Sequence, residues 1–186
     1  MRVIAGAARG RRLAAPPGRS TRPTSDRVRE ALFSTVESRL RTMVGARVLD
    51  LYAGSGALGL EALSRGAAHV LLVESDPRAL RTLRANVVAV DRPGADARRA
   101  DVRRVLAVEP DRPYDLVLAD PPYDVGPGEV GDVLRLLRDR RWLAPRSLVV
   151  VERPTRGGDV VWPEGYAAVA QRRYGETTLW YGRPAP

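Results

Sequence analysis

The hydrophobic and polar positions of the chain follow two periods that predict strands and helices in turn. Short apolar runs predict strands, and apolar residues recurring every three or four positions predict helices. We expect strands at 47–51, 69–74, 97–100, 116–119 and 147–152, with helices over 57–65, 77–90, 102–108 and 129–141. Near-continuous apolar strands that alternate with helices are typical of an α/β fold with a parallel sheet covered on both faces.

The two ends of the chain have patterns of their own. Residues 1–24 mix short apolar pieces with Gly and Arg, which predicts a basic β-hairpin followed by a loop. Val28, Leu32, Val36 and Leu40 recur every four positions and predict an amphipathic helix over 25–41. Segments 166–174 and 177–181 predict an antiparallel C-terminal hairpin. We therefore expect a basic extension, 1–24, and one domain over 25–186.

Composition narrows the class of protein. A length of 186 residues suits one domain with a substantial core, and no run approaches 18 consecutive apolar residues. The N-terminus lacks the long apolar stretch of a secretory signal. The chain has no cysteine and one histidine, His69, which excludes disulfides, Cys-based zinc sites and Cys nucleophiles. We expect a cytoplasmic protein that is a monomer.

Positive charge is concentrated near the N-terminus. The net charge is +9, and all 31 basic residues are arginine. Residues 1–41 hold ten arginines and three acids, whereas the remainder is nearly balanced. A basic end on a neutral body suits phosphate binding, although a solvated charged tail is the plainer alternative. The predicted RNA contacts are Arg2, Arg9, Arg11, Arg12, Arg19 and Arg22.

A glycine-rich turn predicts a cofactor site. Gly54-Ser55-Gly56-Ala57-Leu58-Gly59 follows a strand and opens a helix, so a ligand can approach the backbone closely. That motif alone also marks nicotinamide and flavin sites. An adenosine with an amino-acid tail could be held by three acids of this region: Asp50 within the strand, Glu74 at the end of the next strand and Asp101 after the third. This pattern favours S-adenosylmethionine.

Each of these acids also has a structural alternative. Asp50 could cap nearby backbone amides, Asp101 could cap the following helix, and Glu74 could be an ordinary strand end. The predicted cofactor-binding residues from these segments are Asp50, Tyr52, Gly54, Ser55, Gly56, Gly59, Glu74, Ser75, Asp101 and Val102. No metal is needed, because a sulfonium already carries a good leaving group.

An acid, two prolines and an aromatic residue follow the strand at 116–119. Asp120 can accept one N–H of an exocyclic amine, and the carbonyl of Pro121 can accept the other. Pro121 and Pro122 make the turn rigid, and Tyr123 can stack on a base drawn out of a helix. We predict that Asp120, Pro121, Pro122 and Tyr123 form the catalytic turn, with alignment and electrostatics supplying most of the acceleration.

These motifs together resemble the bacterial 16S ribosomal RNA guanine-N2 methyltransferases. The matching segments are 2–6, 9–11, 22–33, 50–66 and 120–123, of which Arg-Pro-Thr-Ser-Asp-Arg-Val-Arg-Glu at 22–30 is the most family-specific. Ser34 departs from the Asn that relatives often carry there, outside the chemical positions. The resemblance implies a class I (Rossmann-like) methyltransferase with a seven-stranded sheet. It also implies that Arg27 and Glu30 help close the cofactor pocket.

The resemblance further implies methyl transfer to the N2 amine of one guanine in 16S rRNA within an assembling 30S subunit. DNA adenine or cytosine amines are the nearest alternative, although 186 residues leave little room for a DNA target-recognition region. Protein glutamine methylation is less favoured, because those enzymes usually have Asn in place of Asp120. Two alternative hypotheses assign the protein to other functional classes. They are a non-catalytic RNA-binding assembly factor and a nicotinamide-dependent oxidoreductase.

Overall fold

The computed structural model describes residues 1–16 and 25–185 and contains helices packed on a seven-stranded sheet. The helices are α1 Asp26–Arg39, α2 Ala57–Ser64, α3 Pro77–Val90, α4 Val102–Leu106 and α5 Pro127–Asp139. The strands are β1 Arg47–Leu51, β2 His69–Glu74, β3 Ala95–Arg99, β4 Tyr114–Ala119, β5 Leu143–Pro154, β6 Tyr166–Tyr174 and β7 Thr177–Pro184. Each predicted helix and strand within 25–185 is present, with ends that shift by a few residues.

The order of the strands brings the predicted motifs together. The sheet runs β3-β2-β1-β4-β5-β7-β6, with β5 to β7 and β7 to β6 antiparallel and the other pairs parallel. Leu51 at the end of β1 pairs with Val73 of β2 and with Ala119 of β4. The chain therefore reverses its winding direction at β1 and β4, where open α/β sheets form a ligand crevice.

Two apolar layers cover the sheet. On one face, α1, α2 and α3 bury Leu32, Phe33, Leu60 and Leu83 against β1 and β2. On the other face, α4 and α5 bury side chains such as Leu106 and Leu134. Side-chain caps fix the starts of three helices at Ser25, Asp76 and Asp101. Among the described residues, no helix is both long and apolar enough to cross a bilayer.

The predicted basic N-terminal β-hairpin of 1–24 is not confirmed as a pair of regular strands. Residues 1–16, here named the N-terminal loop, contain a single antiparallel bridge between Arg2 and Arg12. Residues 6–10 form a bend and turns rather than strands. Gly6, Ala7 and Ala8 have low β-propensity, because their small or absent side chains pack poorly against a neighbouring strand. Residues 17–24, with Arg19 and Arg22, lie outside the described residues.

The N-terminal loop is nevertheless packed firmly on the rest of the molecule. Val3 is fully buried in the core layer of α1, α2 and α3. The buried carboxylate of Glu61 accepts hydrogen bonds from Ile4 N at 2.7 Å and Ala5 N at 3.0 Å. Ser64 Oγ accepts from Ala8 N at 2.9 Å. The loop is thus held in place by α2.

Candidate active site

A cleft of about 460 Å³ opens where β1 and β4 end. The glycine turn lines one side with Gly54 and Ser55, together with Asp50 and Tyr52 from the end of β1. The turn after β4 lines the other side with Asp120, Pro121, Pro122 and Tyr123. The two motifs that the sequence separates by about 65 residues therefore face one another across a single cavity.

Asp50 is the most perturbed acid of this site. Its side chain is buried, and Oδ2 accepts a hydrogen bond from Gly59 N at 2.8 Å. Burial raises the pKa of Asp50 to about 7; the Gly59 N–H lowers it, and the negative charges of Asp120 and Glu74 raise it further. The structural alternative for Asp50, a cap on backbone amides, is thus present, and the same side chain also lines the cleft.

The glycine turn leaves open space where a cofactor would approach the backbone. Gly54 has a φ of +56°, and among the described residues a Cβ built there would meet only Tyr52 O, at 3.9 Å. Glu74 is buried and accepts from Gly54 N through Oε2 and from Asp76 N through Oε1, both at 2.8 Å. Glu74 therefore fixes the shape of the turn. An uncrowded, backbone-lined concavity beside buried acids fits an adenosine-type ligand.

Tyr52 lines the cleft and is influenced electrostatically by Asp101. Asp101 is exposed at the N-cap of α4, where its side chain accepts from Arg104 N at 3.1 Å. Tyr52 has a φ of 60°, a rare value for a residue with a side chain. Burial raises the pKa of the Tyr52 hydroxyl to about 12, and the negative charge of Asp101 adds to the shift. The Tyr52 hydroxyl thus stays protonated at neutral pH.

The turn after β4 presents its polar groups outward. Asp120 is exposed, whereas Pro121 is buried and anchors the turn to the sheet. Val125 N donates to Pro122 O at 3.0 Å and closes the turn. The Tyr123 side chain is 66% exposed, which is unusual for a large aromatic residue and leaves its ring face open. This arrangement suits stacking against a planar group.

Several predicted site residues lie behind the cleft or away from it. Six of them do not line the cavity: Gly56 and Gly59 of the glycine turn, and Glu74, Ser75, Asp101 and Val102 at or after the ends of β2 and β3. Arg27 and Glu30 are exposed on α1 and do not line it either, although Ser25 and Val28 of the same segment do. Arg2, Arg9, Arg11 and Arg12 are exposed on the N-terminal loop.

The structure adds cleft residues that sequence reasoning missed. Glu152 and Arg153, near the carboxyl end of β5, line the cleft together with the turn between β6 and β7. Both are buried, at 8% and 4% exposure. The sequence could have indicated Glu152 as a cleft residue, because Glu152 follows the apolar run 148–151 just as Asp120 follows the apolar run 116–119. The turn at Gly175 could not be placed in the cleft from sequence, because its position depends on the antiparallel register of β6 and β7 at the edge of the sheet.

Comparison with known proteins places the chain in a family. The model of the family described as conserved hypothetical protein 95 matches residues 1–183. Ribosomal RNA small subunit methyltransferase D of Escherichia coli K12 is 39% identical over 158 residues, covering 85% of this chain and 77% of that protein. The protein of the same name from Haemophilus influenzae is 32% identical over 94% of this chain and 89% of its own length.

Solved structures agree with that assignment. The Escherichia coli protein yhhF superposes with a TM-score of 0.86 and 34% identity, covering 100% of this chain and 99% of that one. The rRNA methyltransferase aviRa of Streptomyces viridochromogenes superposes with a TM-score of 0.67 over 91% of this chain and 88% of its own, and its 21% identity makes that a likeness of fold. The fold is that of class I methyltransferases. This chain belongs to the conserved hypothetical protein 95 family, the family of the ribosomal RNA small subunit methyltransferases D.

Proposed function

We propose that this protein transfers the methyl group of S-adenosylmethionine to the exocyclic N2 amine of a guanine in 16S rRNA of an assembling 30S subunit. The observation that carries the proposal is the shared cleft, in which Asp120 and Tyr123 stand across from Gly54 and Asp50. An amine acceptor and a nucleoside-type donor would meet there. The names of the relatives from Escherichia coli and Haemophilus influenzae support ribosomal RNA as the substrate class.

On the donor side, the acids and the glycine turn would hold the cofactor. Gly54 and Ser55 offer open backbone in the cleft, and Asp50 would face the amino-acid tail. Glu74, which also holds the glycine turn, would accept from the ribose, and Asp101 would accept from the adenine amine. When bound, S-adenosylmethionine supplies an electrophilic methyl group on a positively charged sulfur. Arg27 and Glu30, exposed on the helix whose Val28 lines the cleft, would then border the entrance.

On the acceptor side, Asp120 and the Pro121 carbonyl would each accept one N–H of the guanine amine. Fixing both hydrogens favours pyramidal character at the nitrogen and aims its lone pair at the methyl group. As the bond from nitrogen to the methyl carbon forms, the bond from sulfur to that carbon would break and leave neutral S-adenosylhomocysteine. One N–H proton would pass to the carboxylate of Asp120 or through it to water. Tyr123, with its exposed ring, would stack on the flipped base. The chain's contribution is therefore mainly alignment and charge placement, which can account for large accelerations without a strong general base.

Transfer of labelled methyl to 30S subunits, free 16S rRNA and duplex DNA, assayed in parallel, tests this function. We expect label in 30S subunits, loss of nearly all turnover in Asp120→Ala, and retained cofactor binding by that variant in calorimetry. Asp124→Ala is the matched control, because Asp124 is an exposed acid in the same turn that does not line the cleft. Label in DNA instead of 30S, or calorimetric binding of NAD alone, would overturn the proposal.

A further inference from the structure

The exposed side of α3 carries arginines that the cleft does not use. Arg78, Arg81 and Arg84 are all exposed, and α3 contains no acidic residue. Within the described parts of the chain, none of the three forms an ion pair with a carboxylate. On α5, by contrast, Arg135 and Arg138 are paired with acids of their own helix. The positive charge of α3 is therefore left for an external partner.

This helix connects the cleft to the N-terminal loop. Its first turn follows Glu74, which holds the glycine turn through Gly54 N. Near its other end, Arg11 Nη1 of the N-terminal loop donates to Ala89 O at 2.9 Å. Thirteen helical residues from 77 to 89 span about 20 Å. The arginines of α3 thus bridge the distance between the cofactor side of the cleft and Arg11.

The N-terminal loop continues the same charge. Its sixteen residues include Arg2, Arg9, Arg11 and Arg12 and no acid, so the loop and α3 together present seven arginines without a carboxylate of their own. The packing is also rigid, because buried Asn86 of α3 accepts from Ala14 N at 2.8 Å and donates to Ala14 O at 2.9 Å. Several exposed arginines on a backbone held in this way are suited to a polyanion with regularly spaced charges.

We propose that the face of α3 formed by Arg78, Arg81 and Arg84 binds RNA phosphates, so that the RNA beside the target nucleotide follows α3 from the cleft to the N-terminal loop. The inference rests on the proposed RNA substrate and enlarges the contact surface beyond the N-terminal arginines. These contacts are sequence-blind and contribute affinity and orientation, whereas the cleft selects the base. An acidic ribosomal protein is the competing occupant.

The test compares two double variants with the same loss of charge. Arg81→Ala/Arg84→Ala removes two arginines from the α3 face. Arg140→Ala/Arg146→Ala removes two exposed arginines at the end of α5 and in β5, where no ion pair in the described segments holds them. The affinity of each protein for purified 16S rRNA is measured over a series of salt concentrations. Cofactor binding by calorimetry verifies that both variants remain folded.

We expect the α3 variant to reduce the slope of log K against log salt by about 1.4 to 1.8, and the control to leave it unchanged. The α3 variant should also raise KM for 30S subunits with little change in kcat. Equal slopes for wild type and both variants would overturn the inference. So would weakened binding to 30S particles together with normal binding to protein-free 16S rRNA, which would assign this face to a ribosomal protein.

These measurements distinguish an error in the α3 contact from an error in the proposed function. If wild type transfers methyl to guanine N2 while the salt slopes are equal, only the α3 contact is wrong. If wild type transfers no methyl to ribosomal RNA, the proposed function fails, whatever the slopes.

Discussion

At the scale of single residues, we propose that the buried carboxyl group of Asp50 affects both stability and ligand binding. Its folded-state pKa of about 7 lies above the ordinary value near 3.8, because burial disfavours the charged form. The folded protein therefore holds a proton that the unfolded chain releases. Stability contributed by this group is present below pH 4 and is lost as the pH rises from about 4 to about 7.

Asp50→Asn should remove that loss, since the amide oxygen can still accept from Gly59 N and carries no charge. We expect urea unfolding to give equal stability for wild type and variant near pH 4 and a more stable variant at pH 8. Asp159→Asn, which removes an exposed acid, controls for the change in net charge. A variant that is less stable than wild type at pH 8 would contradict the assigned cause.

The same residue predicts a pH dependence of cofactor binding. S-adenosylmethionine is cationic at its sulfur and amine, so its binding should favour the ionised carboxylate of Asp50 and should tighten as the pH rises through about 7. Calorimetry at pH 6 and pH 8 measures the change. A wild-type affinity that does not change with pH would argue against contact between this carboxylate and the cofactor. So would a pH dependence that remains in Asp50→Asn.

At the scale of elements, α2 approaches β2 so closely that Gly59 leaves no room for a side chain. A Cβ at this position would lie 2.8 Å from Leu72 Cδ2 and 2.9 Å from Asp50 Oδ2. We expect Gly59→Ala to destabilise the protein by about 1–3 kcal/mol in urea unfolding and to weaken cofactor binding. Gly128→Ala, in the first turn of α5 with nothing within 4 Å, should be neutral or slightly stabilising. Equal effects of the two substitutions would contradict the packing argument.

Asn86 joins three separate elements through one buried side chain. Besides its two hydrogen bonds to Ala14, its amide donates to Ser55 O of the glycine turn at 2.8 Å. Asn86→Ala leaves Ala14 N, Ala14 O and Ser55 O without this partner, at a cost of about 1–3 kcal/mol. Hydrogen exchange should show faster exchange at Ala14 and in the glycine turn together. Faster exchange at only one of them would mean that the two are not coupled through Asn86.

Much of this element-level organisation could be predicted from the sequence, because the informative signals are local. Strand bounds at 47–51 and 69–74 and the helix over 77–90 follow from apolar periodicity and the capping residues. The acids at strand ends, Asp50, Glu74 and Asp120, converge because parallel strands end at one edge of the sheet. The N-terminal loop was harder, since its contacts to Glu61 and Asn86 join residues 56 to 72 positions apart.

At the scale of the whole molecule, the net charge of +9 is distributed unevenly, and the N-terminal loop carries a distinct share of it. We expect Arg9→Ala/Arg11→Ala/Arg12→Ala to lower activity on 30S subunits at physiological salt and to lessen its dependence on salt, because we propose that each arginine neutralises a phosphate. Activity assayed over a salt series measures both effects. Unchanged activity at physiological salt would show that the loop does not contact RNA.

The central claim is that a methyl group passes to a guanine N2 amine between the ends of β1 and β4. The most direct measurement is nucleoside analysis by mass spectrometry of 16S rRNA from 30S subunits incubated with the enzyme and S-adenosylmethionine. We expect new N2-methylguanosine with wild type and almost none with Asp120→Ala. Methylation of adenosine or cytidine instead, or equal N2-methylguanosine with Asp120→Ala, would contradict it.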